Sequence, residues 1–200
     1  MEGLLRYFLP IYWMIFFLLI IVWRAYVVWR RTGVNAFKQL SCSGVHGVVV
    51  FYFRWLFFIA SLGSIAYVIS PSAYNSVASF QWMRKEPIQL FGMVWLVGWL
   101  VWIWLAQSQM GIAWRFAPKD AQGEHFVDKG LFARSRNPIF LGFKCIFIGV
   151  FLTFPNSIIL ALSVAGWLLL SVQVALEEEH LLMKYGESYK NYCDKVRRWL

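Results

Sequence analysis

What most constrains this chain is the succession of apolar runs that fills it. Residues 4–29, 45–69, 88–110, 138–154 and 157–176 are hydrophobic with few charges. A backbone in hydrocarbon must satisfy its own N–H and C=O groups, and a helix does so within one segment. About twenty apolar residues suffice to cross as a helix. The expected fold is therefore all-α, a polytopic membrane protein with about five transmembrane helices. The whole chain agrees, being 60% hydrophobic and only 14% charged over 200 residues, beyond what a soluble domain carries. The last two runs are short and turn at Pro155-Asn156, so the fifth helix is expected to continue into the polar block beyond it. Pro10 is tolerable in a membrane helix, with a bend. The first run lacks an A-x-A-like cleavage site and is read as a retained helix.

Charge then sets the orientation. The net charge is +9, but in this composition basic residues set topology and touch anionic lipid, and no nucleic-acid partner is expected. Arg30, Arg31 and Lys38 follow the first run. Arg115, Lys119, Lys129, Arg134 and Arg136 fill the central loop, and Lys184, Lys190, Lys195, Arg197 and Arg198 follow the last run. In a five-span chain these fall on one side, against Arg6, Arg84 and Lys85 on the other. The positive-inside bias puts the N-terminus outside and the C-terminus in the cytoplasm, in the plasma (inner) membrane if the source is prokaryotic. Twelve Trp and nine Tyr suit headgroup depth and helix packing. Cys42, Cys145 and Cys193 form no C-x-x-C pair, so free thiols and no metal site are expected. No G-x-G-x-x-G or G-K-[ST] motif occurs, which argues against a doubly wound nucleotide fold.

One segment is dense in both charge and glycine, from Gly123 to Gly142. Within it Asn137-Pro138 reads as a helix start, with Asn offering a side-chain oxygen to the first-turn N–H groups and Pro suited to the first position. Arg134 and Arg136 then lie beside a positive helix end, either as an anion site or as markers of the cytoplasmic side. Farther on, Gln173, Glu177, His180 and Lys184 share one stripe of a helix. The stripe either faces water or, for Gln173 and Glu177 nearer the lipid, a protein cavity. Lys144 lies two turns past Asn137 on the same face, close enough to snorkel to the interface. Arg54 sits mid-span, and a carboxylate pair and a substrate contact are equally compatible with it. His125 reads as a solvated loop residue. Cys42 and His46 have no partners that would complete a metal set.

The stretch from Gly130 to Gly142, G-x-F-x-x-x-R-N-P-x-F-x-G, resembles the G-x-Y-x-x-x-R-H-P-x-Y-x-G signature of the isoprenylcysteine carboxyl methyltransferase and phospholipid methyltransferase superfamily. A second block, Glu177-Glu178 through Leu181, Tyr185-Gly186 and Tyr189, resembles that family's E-E-x-x-L-x-x-x-F-G-x-x-Y, with the basic Val196-Arg197-Arg198 after it. The resemblance covers roughly the C-terminal half. It implies a small integral-membrane enzyme using S-adenosyl-L-methionine, with a cytoplasmic C-terminal cofactor site. With no internal repeat, low-complexity tract or interdomain linker, the chain reads as a single transmembrane domain over 1–200. Three N-terminal spans would occupy 1–110, and 111–200 would form the cofactor-binding half, with a helical hairpin and an amphipathic C-terminal helix.

Carried onto this sequence, the resemblance implies catalytic roles for Arg136, Glu177 and Gln173. It implies cofactor contacts from Gly130, Phe132, Asn137, Pro138, Phe140, Gly142 and Glu178, with Trp114 as a further apolar wall. Five named positions depart from the pattern. Phe132 and Phe140 replace tyrosines, Asn137 a histidine and Gln173 an arginine, and Glu124 occupies a usual His position beside His125. Methyl transfer needs in-line positioning and exclusion of water more than a strong base when the acceptor is already ionised. The leading expectation is transfer to a lipidic, membrane-embedded acceptor, small or prenylated, with a prenylcysteine-like carboxylate. The alternatives are a phospholipid amine acceptor and a non-enzymatic scaffold that keeps the fold. The oligomeric state is not legible.

Overall fold

The computed structural model describes residues 2–33, 44–72, 79–111 and 126–200. Helix α1 (Glu2–Phe16) passes through a π-helical stretch (Phe17–Val22) into α2 (Trp23–Thr32), making one continuous rod. Its buried residues Leu5, Leu9, Tyr12, Trp13, Phe16 and Ile20 recur every three or four positions and face the bundle. The rod stops where Gly33 takes φ 69° and its N–H meets the Trp29 carbonyl at 2.8 Å. Then come α3 (Gly44–Ile69), α4 (Glu86–Met110), α5 (Pro138–Thr153), α6 (Ser157–Tyr185) and α7 (Glu187–Lys195). Five apolar helices thus stand where five runs were read. The first rod, α3, α4 and α6 are long enough to cross a membrane, whereas α5 has 16 residues and is shorter. As expected, α6 runs beyond its apolar part into the polar block.

The closest helix pair is α4 against α5, antiparallel. Helices in lipid are held together mainly by van der Waals fit and interhelical hydrogen bonds, so small residues matter where backbones approach. Gly142 faces Ile103, Gly149 faces Leu96 and Gly92 faces Thr153, one register kept along the whole interface. A Cβ at Gly149 would lie 2.8 Å from Leu96 Cγ. Two indoles reinforce the same register. Trp95 Nε1 donates to the Cys145 carbonyl at 2.8 Å and Trp102 Nε1 to the Pro138 carbonyl at 2.9 Å. Each half-buries a ring and satisfies its N–H at once.

Cross-links fix the other helices at both ends. Arg6 Nε donates to the Val68 carbonyl at 2.8 Å, joining the start of α1 to the end of α3. Buried Arg24 donates to the Gly111 carbonyl just past α4. Phe80 N–H meets the Pro155 carbonyl at 3.1 Å, so the segment before α4 lies on the α5–α6 turn. At that hairpin end a cavity of about 250 Å³ opens between α1, α3, α5 and α6 among Trp13, Phe57, Tyr67, Phe147 and Phe154. The signature segment lies at the opposite end, where α4 finishes and α5 begins.

This packing makes a specific prediction. A Cβ at Gly92 would fall 2.6 Å from Thr153 Oγ1 and 2.8 Å from the Thr153 backbone nitrogen, which cannot swing aside. Gly92→Ala should cost about 1–3 kcal/mol as an overpacked contact, read as a lower unfolding midpoint in detergent. Gly98→Ala on the same helix meets nothing within 4 Å and should be neutral or slightly stabilising. Equal behaviour of the two variants would refute the packing.

Candidate active site

The site starts from the way the chain enters α5. Gly130 adopts φ 65°, which only glycine accepts cheaply, and opens a 3₁₀ turn over Gly130–Ala133. Leu131 N–H is held by Gln109 Oε1 at 2.7 Å, fastening the turn to the end of α4. Phe132 is buried, and its carbonyl accepts from Tyr192 Oη at 2.6 Å. Burial chiefly pushes the Tyr192 phenol up to about 12, with Arg136 opposing. It therefore stays a donor at neutral pH. Fully buried Ser135 then shapes the approach, its Oγ accepting from Asn137 N–H at 3.2 Å. Pro138 occupies the first position of α5, as its missing N–H suits.

The centre of the site is Glu178, carried out by the long extension of α6. Its Oε1 accepts from Asn137 Nδ2 at 2.7 Å and from Arg136 Nε at 3.3 Å. Its Oε2 accepts from Arg198 Nη2 at 2.7 Å and Nε at 3.0 Å. The Glu178 side chain is only 11% exposed. After Gly186 turns the chain, α7 and the C-terminal tail fold back over the signature. Arg136 N–H donates to the Arg197 carbonyl at 2.9 Å, Ser135 Oγ to the Arg198 carbonyl at 3.3 Å, and Arg136 Nη1 to the Cys193 carbonyl at 3.1 Å. Two guanidinium groups against one carboxylate leave this cluster with excess positive charge beside a helix N-terminus, a setting that suits an anion.

One reading of the sequence is corrected here. Asn137 does stand at the helix start, but its side chain makes no capping bond. Its amide nitrogen donates instead to Glu178, a charge-assisted bond that orients the side chain away from the first turn. The structure also gives Lys144 its surroundings. It is buried, its Nζ 3.0 Å from Ser171 Oγ and 4.0 Å above the Trp199 ring.

Of the residues singled out in sequence, Arg136, Asn137 and Glu178 are brought together, with Gly130, Phe132 and Pro138 shaping the approach. The ion pairs to Arg136 and Arg198 are made by Glu178. Gln173 and Glu177 are half-buried on a neighbouring strip of α6, and Phe140 is half-buried in the first turn of α5. Gly142 faces Ile103, so helix packing accounts for that glycine. Arg54 is exposed on α3, His180 is half-buried and Lys184 exposed on α6. Trp114, Glu124, His125 and Cys42, and the side chain of His46, lie outside the described residues. Sequence reasoning noted the basic Arg197-Arg198 ending without giving it a role. It missed Ser135, Tyr192 and Trp199 entirely, for which no local pattern exists.

The sequence model described as phospholipid methyltransferase matches residues 87–188, more than half of the chain. The chain belongs to the phospholipid methyltransferase family. The matched interval contains α4, the signature, α5 and α6 with Glu178, and stops before the returning tail. No curated protein matches the chain. Membership implies methyltransferase activity within the membrane and an S-adenosylmethionine-type methyl donor. The site's chemistry fits such a donor. The first-turn N–H groups of α5, left uncapped by Asn137, and the arginines suit its carboxylate.

The contrast between two ion pairs gives the test. Glu178→Ala strips a nearly buried carboxylate from two arginines and should cost about 2–4 kcal/mol, discounted from a fully buried pair because Arg198 is half exposed. Lys190→Ala breaks the exposed pair with Glu187 at 3.4 Å and should change the unfolding midpoint negligibly. Comparable losses in the two variants would remove Glu178 from its central place.

Proposed function

We propose that this protein transfers a methyl group from S-adenosylmethionine to the carboxylate of a lipidic, membrane-embedded acceptor of the prenylcysteine type. The observation that carries this is the state of Glu178, both of whose oxygens are taken up by Arg136, Asn137 and Arg198. A protonated amine acceptor must lose a proton to a base before it can attack. A carboxylate acceptor is already ionised and needs none. A carboxylate engaged by two arginines serves as an anchor, and the positive excess around it favours an anionic acceptor over a cationic one.

S-adenosylmethionine supplies an already electrophilic methyl carbon, so the protein's part is positioning and exclusion of water. Arg136 and the start of α5 hold the carboxylate of the donor. Glu178 fixes Arg136 and Asn137. Glu177 and Gln173 line the adjoining strip of α6, and Phe132 and Phe140 form apolar walls. The second reading, a phospholipid amine acceptor, is favoured by the family description and by His180 and Glu177, half-buried on α6 and able to serve as bases. The orientation follows from the basic residues, with the N-terminus outside and the signature end in the cytoplasm.

Purified protein given methyl-labelled S-adenosylmethionine should label N-acetyl-S-farnesylcysteine as a base-labile ester. Label in phosphatidylethanolamine instead would establish the second reading, and label in neither would leave a scaffold. Reporter fusions after Pro155 and at Leu200 should report opposite sides of the membrane. A shared side would overturn the orientation.

A further inference from the structure

Lys144 is not used by the cluster around Glu178, and its surroundings are unusual for a lysine. It lies seven residues beyond Asn137 on α5, about 10 Å deeper at 1.5 Å per residue. The residue is 5% exposed. Its ammonium donates to Ser171 Oγ at 3.0 Å and lies 4.0 Å from the Trp199 ring centre and 5.0 Å from that of Trp167. An ammonium has three donors, and Ser171 uses one. Among the described residues no carboxylate pairs with it, the ion pairs there being Arg136–Glu178, Arg198–Glu178 and Lys190–Glu187. Aromatic faces offset part of the cost of a buried cation but give it no counter-charge. The rings also tie it to the site, because Trp199 directly follows Arg198, which is bound to Glu178.

We infer that Lys144 is the residue that recognises the acceptor's carboxylate from the membrane side, with the acceptor supplying the anion that no described residue gives this buried ammonium. The inference rests on the carboxylate-acceptor reading and deepens it. Arg136 and Asn137 stand at the start of α5, whereas Lys144 lies about two turns farther along the helix, within its apolar part. Trp167 and Trp199 shield the ammonium from water, so a carboxylate reaching it meets a charge without competing solvent. Lys144 is thus a specificity-determining residue, selecting acids over their neutral esters.

The test is binding without turnover, in nanodiscs saturated with S-adenosylhomocysteine. Radiolabelled N-acetyl-S-farnesylcysteine and its methyl ester differ only in the anion. Wild type should bind the acid at least about tenfold more tightly than the ester, the value of one charge-assisted contact. Lys144→Met should erase that preference while leaving ester affinity within about twofold, and Lys144→Arg should retain part of it. If Lys144→Met is not monodisperse, Lys144→Gln, which keeps a donor for Ser171, takes its place. A preference that survives loss of the ammonium overturns the assignment of Lys144 and leaves the proposed function standing. Absence of any acid preference in wild type overturns both.

Discussion

A single carboxylate shared between two arginines holds the candidate site together. Glu178 stands where α6 has left its apolar section, and it binds the loop before α5 on one side and the C-terminal tail on the other. Hydrogen bonds to charged groups contribute about 1.5–3 kcal/mol each when well shielded, and at 11% exposure Glu178 approaches that condition. Three stretches far apart in sequence meet on it. Without it, Arg136 and Arg198 would repel each other across the site, and the tail would have no charged reason to return.

That carboxylate can act only because α5 begins at a fixed place. The α4–α5 interface supplies the fixed point, through glycines that let the backbones approach and two indole bonds that set the register. Trp102 is the link between the two levels. Its N–H binds the Pro138 carbonyl, at the residue next to Asn137, so the packing register and the site's first turn share one atom. Gln109 repeats the device one level higher, holding the 3₁₀ turn from the end of α4. The site therefore inherits its position from lipid-embedded packing.

The helices were legible because each is an apolar run of sufficient length bounded by charge, Gly or Pro, a local property. The start of α5 was legible for the same reason, since Pro138 before an apolar run suits the first turn of a helix. The direction of the Asn137 side chain was not, because capping preference is local whereas Glu178 arrives from 41 positions away. Lys144 shows the same limit. Its spacing from Asn137 is a local property, but Trp199, which covers it, returns from beyond α7. Arg198 was visible as part of a basic ending, a signal that speaks of charge and not of partner. What a sequence conceals here is which long side chain meets which, and the candidate site is built from such meetings.

The central claim is that the cluster at the start of α5 is a binding site whose positive excess takes the donor's carboxylate. Calorimetric titration of the detergent-solubilised protein with S-adenosylhomocysteine tests it most directly, because that ligand keeps the carboxylate and cannot react. Saturable binding to wild type is expected, weakened at least about tenfold in Arg136→Ala with the protein still monodisperse. An identical isotherm for the two proteins, or no binding to either, would contradict the account.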